Sequence, residues 1–162
     1  MAYVQLSHTQ NNDTADKTTM LVFLEGTVFH TLPLLHLITV RGYRPIGRSV
    51  DLLDAWASQG AQICYCTYVK ANRIGFIRRV LKRYCLPGIR LYFRDRGQSY
   101  ANIVEQVRPD ILIEDDCKSI GGPKQMCITK VTPEIRAAIQ LIVVPEFSGL
   151  DTLSPELYRL RR

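Results

Sequence analysis

No stretch of this chain reaches the roughly 18 to 20 consecutive apolar residues that a membrane-spanning helix needs, so no membrane partner is expected. The opening MAYVQLSHTQNNDTADKTT has neither a basic start nor an apolar core and does not read as a secretory signal. It reads as a polar, disordered tail over 1–19. Cysteine is present at 64, 66, 85, 117 and 127, an odd number with no CxxC pair and too little histidine nearby for zinc. Reduced thiols in a cytoplasmic protein are the expectation. Phosphate loops of the Walker or Gly-x-Gly type are missing, as are zinc-finger spacings and an aromatic RNA-binding motif.

What remains is ordinary globular material. With 162 residues, 46% of them hydrophobic and 22% charged, the chain has length for one domain with a real core. Its +6 charge is concentrated in RRVLKRY (78–84) and the terminal YRLRR. A solvated helix face and a frayed basic tail over 151–162 account for that excess, with a phosphate-rich partner such as nucleic acid as a further reading.

Apolar runs alternate with amphipathic stretches. MLVFL (20–24), AQICYCT (61–67), RLYF (90–93) and DILIEDD (110–116) read as buried strands. Cys64 and Cys66, two apart on one strand, face the same side. Helices are predicted in PIGRSVDLLDAWASQG, where Val50, Leu52, Leu53 and Trp56 recur at helical spacing and Gly60 is the stop, and in ANRIGFIRRVLKRYCLPG and SYANIVEQVRP. A further helix starts at Thr132-Pro133-Glu134, with Thr132 as the N-cap. MCIT (126–129) reads as a short strand, and LIVVP (141–145) as a helix end or an edge strand. The segment 28–44, with His30 and His36, has no clear period, and both histidines are expected to be structural.

Such alternation implies a mostly parallel sheet covered by helices on both faces, a three-layer α/β/α Rossmann-like sandwich over 20–150. Ligands of these sheets bind beyond the carboxyl ends of the strands. Glu25, Thr67, Asp115 and Asp116 all fall there. Clustered carboxylates persist where a cation compensates them, and oxygen ligands of this kind suit Mg²⁺. Gly121-Gly122 would permit close backbone approach to a phosphate.

The order of these motifs resembles the haloacid dehalogenase (HAD) superfamily, as a small-cap or capless member, since 28–44 is too short for a full cap. Its first motif, an apolar strand followed by Asp-x-Asp-Gly-Thr, is similar to LVFLEGT, with Gly26-Thr27 as anchor. Glu25 then stands at the second acid and Phe23 at the first. ICYCT with Thr67 is similar to the second motif, and ILIEDD with Asp115 and Asp116 to the fourth. For the cation of the third motif, Arg96 is the best-placed residue and Arg94 the second. The resemblance implies a Mg²⁺-dependent phosphatase site, with Glu25, Thr67 and Arg96 in catalytic roles. Gly26, Thr27, Thr67 and Arg96 would hold phosphate, and Glu25, Asp115 and Asp116 the metal. In the family the first aspartate attacks phosphorus, a step closed to Phe23. The expectation is therefore a phosphatase fold with impaired activity that still binds Mg²⁺ or a phosphorylated ligand, small or macromolecular. The alternative is an active enzyme that uses Glu25 or a metal-bound water.

Overall fold

Strand β2 (Thr19–Phe23) runs through the middle of a six-stranded sheet of order β1-β6-β5-β2-β7-β8. The computed structural model describes residues 2–6, 17–31 and 42–161. β5 (Gln62–Thr67), β6 (Arg90–Phe93), β7 (Ile111–Asp115) and β8 (Gln140–Val144) all pair parallel to their neighbours. Among the described strands of this sheet only β1 (Tyr3–Gln5) is antiparallel, on β6. From β2 the chain builds outward through β5 and β6, then returns to the other side for β7 and β8. The reversal leaves a crevice between β2 and β7 at their carboxyl ends.

Burial on both faces explains why β2 reads as an unbroken apolar run rather than an alternating one. Met20, Val22, Ile63, Tyr65, Leu91 and Ile113 point to one core with α1 (Ser49–Ser58) and α2 (Ile74–Arg83). Leu21, Cys64, Cys66, Tyr92 and Leu112 point to the other, beneath α3 (Tyr100–Val107). The two cysteines of β5 therefore share a face, as their spacing requires. All five thiols are free. α3 is closed at its start by a capping box between Ser99 and Asn102 and at its end by Arg108, whose positive φ of 47° lets its N–H reach Val104.

Several segments differ from their sequence reading. Tyr3–Gln5, assigned by composition to a tail, forms an edge strand because Tyr3 packs on Tyr92 across the β1–β6 pair. At the other end, Leu157 and Leu160 are buried, and the Trp56 indole N–H donates to the Ser154 carbonyl at 2.9 Å. This docks 151–161 on α1 in place of a frayed tail. LIVVP resolves as the edge strand β8. The ambiguous segment contains a hairpin of β3 (Phe29–Thr31) and β4 (Tyr43–Pro45); residues 32–41, with His36, lie outside the described residues. Thr132 makes no side-chain cap to the short helix α4 (Pro133–Ala137); its own N–H is held by Glu105. Among the described residues no helix is long and apolar enough to cross a membrane.

MCIT is not a strand but part of a 3-10 turn over Cys127–Lys130, and the cause is Glu114. This carboxylate, 3% exposed, accepts the N–H groups of Cys127 at 2.9 Å and Ile128 at 3.2 Å. Those donors would otherwise be buried without partners. Glu114→Ala is therefore expected to cost about 3 kcal/mol in urea unfolding, and Glu114→Gln, which keeps one acceptor, about half of that. Unchanged stability in the alanine variant would show that water replaces the carboxylate fully.

Candidate functional site

The chain leaves β2 in a single tight turn. The N–H groups of Val28 and Phe29 both donate to the Leu24 carbonyl at 2.8 Å, and Gly26 closes the turn on the Phe29 carbonyl at 3.0 Å. Gly26 has φ +83°, and a Cβ there would lie 2.7 Å from Asp115 Oδ2. Glycine is thus required both by the backbone and by the close approach of β7's last residue. Thr27 is fully buried, its Oγ1 without a partner among the described residues, so it presents no surface to a phosphate.

Glu25 is bound to the β5 side of the crevice. The Thr67 hydroxyl donates to Oε1 at 2.6 Å, the Tyr43 hydroxyl to the same oxygen at 3.2 Å, and the Tyr68 N–H to Oε2 at 3.2 Å. The hairpin that carries Tyr43 thereby covers the carboxylate, and an edge-on contact between Phe29 and Tyr43 holds the hairpin down. Burial raises the pKa of Glu25, and the three donors oppose that shift without cancelling it.

The acids of β7 lie on the other side. Asp115 Oδ1 accepts the Cys117 N–H at 2.8 Å. Burial raises the Asp115 pKa; the Cys117 N–H works against this, and the charge of Glu146 adds to it. Asp116 Oδ1 accepts the N–H of Lys118 at 3.3 Å and of Glu146 at 3.1 Å. Glu146 in turn receives the N–H and hydroxyl of Ser119. Gly121 and Gly122 are spent on this loop, where the Gly122 N–H returns to the Cys117 carbonyl at 2.9 Å.

Position 23, where the resemblance expects the first acid, is filled by an aromatic pair. The Phe23 ring meets Tyr100 edge-on, with centroids 5.4 Å apart, and the Arg94 guanidinium lies 4.4 Å above the Tyr100 ring. Arg94 is the cation stacked beside this ring pair. Arg96 is exposed on the turn beyond, where the Gln98 N–H bonds back to the Asp95 carbonyl.

The three carboxylates assigned to a metal do not form one ligand set. Glu25 is engaged by Thr67, Tyr43 and Tyr68, while Asp115 and Asp116 are tied into the β7 loop. Among the described residues no three His, Cys, Asp or Glu side chains group as metal ligands. Among the described residues Asp115 and Asp116 each keep an Oδ2 without a donor, but β2 offers a phenyl ring where an oxygen would be needed. This donor set does not fit Mg²⁺, which takes near-octahedral oxygen coordination.

Sequence reasoning missed Tyr43, Tyr100, Glu146 and Phe147. The Phe147 N–H donates to the Gly26 carbonyl at 2.7 Å, and its ring stacks on His30 at 4.9 Å, closing the crevice from the β8 side. Its φ of 62° is a left-handed conformation held by that contact. Glu146 was discoverable, since it is an acid just past LIVVP once that run is taken as a strand. Tyr43 and Tyr100 carried no such signal.

No family model matches the chain, and no curated protein matches it. Solved structures do. A chain of the Pnkp1/Rnl/Hen1 RNA repair complex is similar over 85% of this protein and 45% of its own length, with a TM-score of 0.59 and 14% identity. This chain thus spans less than half of that one. The D,D-heptose 1.7-bisphosphate phosphatase from B. bronchiseptica, complexed with magnesium and phosphate, is similar over 81% of this chain and 94% of its own, with a TM-score of 0.52 and 10% identity. At such identities the likeness concerns the fold alone, a three-layer α/β/α sandwich with a mostly parallel sheet.

The raised pKa of Glu25 has a consequence for stability. The folded state holds this proton more tightly than the unfolded chain, whose carboxyl titrates near 4.5. The resulting stabilisation is complete below that value and is lost as pH rises through the higher folded pKa. Glu25→Gln removes the loss, so its stability relative to the natural protein should grow with pH above 4.5, by up to ~1.4 kcal/mol per pH unit. Urea unfolding of both proteins between pH 4 and 8 measures it; parallel curves would contradict the burial argument.

Proposed function

We propose that this is a phosphohydrolase-fold protein that binds a phosphorylated ligand at the carboxyl edge of its sheet and does not hydrolyse it. One observation carries the reading: Phe23 ends β2, and its ring is packed against Tyr100. A phenyl ring has no lone pair with which to attack phosphorus, so the covalent route is closed. Glu25 does not substitute for it. A carboxylate that accepts three hydrogen bonds, and whose pKa burial has raised, is a poor nucleophile and better suited to hold or give a proton.

Ligand binding is supported by different features. Arg94 brings a guanidinium to the mouth of the crevice, and guanidinium forks match phosphate oxygens. The similar heptose bisphosphate phosphatase structure carries magnesium and phosphate, which supports phosphate as the chemistry for which this fold is built. In this chain Mg²⁺ would depend on Asp115 and Asp116 alone, so metal binding is expected to be weak until position 23 regains an oxygen. The five free thiols fit a reducing cytoplasm.

The test is hydrolysis of an aryl phosphate with Mg²⁺ by the natural protein and by Phe23→Asp, with thermal melting of both across a Mg²⁺ titration. The natural protein should be silent, with a melting temperature indifferent to millimolar Mg²⁺. Phe23→Asp should be stabilised by the metal through mass action and should turn over measurably. Hydrolysis by the natural protein that Glu25→Gln abolishes would overturn the proposal in favour of an active phosphatase.

A further inference from the structure

Between Asp54 and Asp95 the chain carries no acid, yet it carries Lys70, Arg73, Arg78, Arg79, Lys82, Arg83, Arg90 and Arg94. Folding gathers the middle of this set on the outer face of α2. Arg78, Arg79, Lys82 and Arg83 are all exposed, and none forms an ion pair among the described residues, where Arg159–Glu156 is the salt bridge found. Arg78 with Lys82, and Arg79 with Arg83, stand four residues apart, where like charges on a helix repel. Opposite charges at those positions would stabilise the helix; this face has only one sign.

The stripe borders a cleft of about 660 Å³. Its walls include Leu81, Leu86 and Leu6, the first two almost fully buried, and its cationic side is formed by Arg78, Arg79 and Lys82. At the start of α2, Lys70 and Arg73 continue the positive charge to the loop after β5, the carboxyl edge where Glu25 and Thr67 meet. A cationic track thus leads from the crevice down the helix.

We infer that this track and cleft bind single-stranded nucleic acid. Side chains one helical turn apart, about 6 Å, follow a backbone that repeats its charge at short intervals. Arginine forks recognise phosphate oxygens in pairs. The half-buried Leu6 and the exposed Gly75 and Cys85 offer the cleft's apolar surface to the flat faces of unpaired bases, which a stacked duplex keeps to itself. A lipid surface fits less well: the apolar side chains of α2, Ile74, Phe76, Ile77, Val80 and Leu81, are buried in the core and do not enter a bilayer. An acidic peptide supplies charge but no flat apolar faces for that surface. The inference concerns a surface separate from position 23 and does not depend on whether the crevice is catalytically silent.

Fluorescence anisotropy of a labelled 20-nucleotide single-stranded RNA, titrated with the full chain from 50 to 300 mM KCl, tests it. The natural protein and Phe23→Asp should bind alike, with log K falling linearly with log salt. The variant Arg78→Gln/Arg79→Gln/Lys82→Gln keeps helix-forming side chains at exposed positions, and its melting temperature confirms that it folds. It should bind at least tenfold more weakly, with a salt slope shallower by about 2 for three lost contacts. Lys124→Gln/Lys130→Gln/Arg136→Gln removes the same charge from the opposite side of the sheet and should bind within twofold of the natural protein. Equal losses in the two triple variants would reduce the effect to net charge and overturn the inference. So would absence of binding at 50 mM KCl, or preferential binding of duplex, polyglutamate or anionic vesicles.

Discussion

Everything in this molecule is referred to the parallel pairing of β2 between β5 and β7. The register sets Phe23 opposite Cys66 and Val22 opposite Ile113, and it continues past the strand end in the Leu24 N–H bond to the Cys66 carbonyl at 2.9 Å. A slip of one residue would turn every β2 side chain to the other face, exchanging the two cores. The same register fixes the crevice. It brings Glu25 within 2.6 Å of Thr67 and presses Gly26 against Asp115.

Within that frame, adjacent acids have separate fates. Glu114, Asp115 and Asp116 follow one another at the end of β7, but alternation along the strand sends their side chains apart. Glu114 goes into the α3-side core, where two backbone N–H groups compensate it. Asp115 faces the crevice and Gly26. Asp116 stabilises its own loop and the start of the Glu146 loop. Burial raises the pKa of both Glu114 and Asp115, so the motif is a costly feature of the native state rather than a solvated turn.

An aromatic ring ends β2 beside the crevice. Phe23 puts carbon where the fold could have placed an oxygen, and Tyr100 and Arg94 pack over it in sequence. Around this apolar plug the polar parts remain orderly: Glu25 with its three donors, Asp115 beneath Gly26, and the Phe147 loop closing on His30. The basic face of α2 lies on the outside of the helix layer across the sheet from Tyr100. Its buried side is bound to the sheet, which leaves its cations to solvent and to any anionic partner.

The sequence by itself determined the strands, the helices and their alternation, because periodicity and continuous apolar runs are local records of which faces are buried. It also determined that Glu25, Thr67 and Asp115 lie at strand ends, and that position 23 has no nucleophile. Tertiary structure alone decided the rest. The 3-10 turn at Cys127 depends on Glu114, thirteen residues away, and overrides the strand-like pattern of MCIT. β1 and the docked C-terminal segment form because distant surfaces accept them, which composition does not record. Arg94 stacks on Tyr100, and Tyr43 joins Glu25, because side-chain partners across an interface follow from three-dimensional packing and not from spacing along the chain.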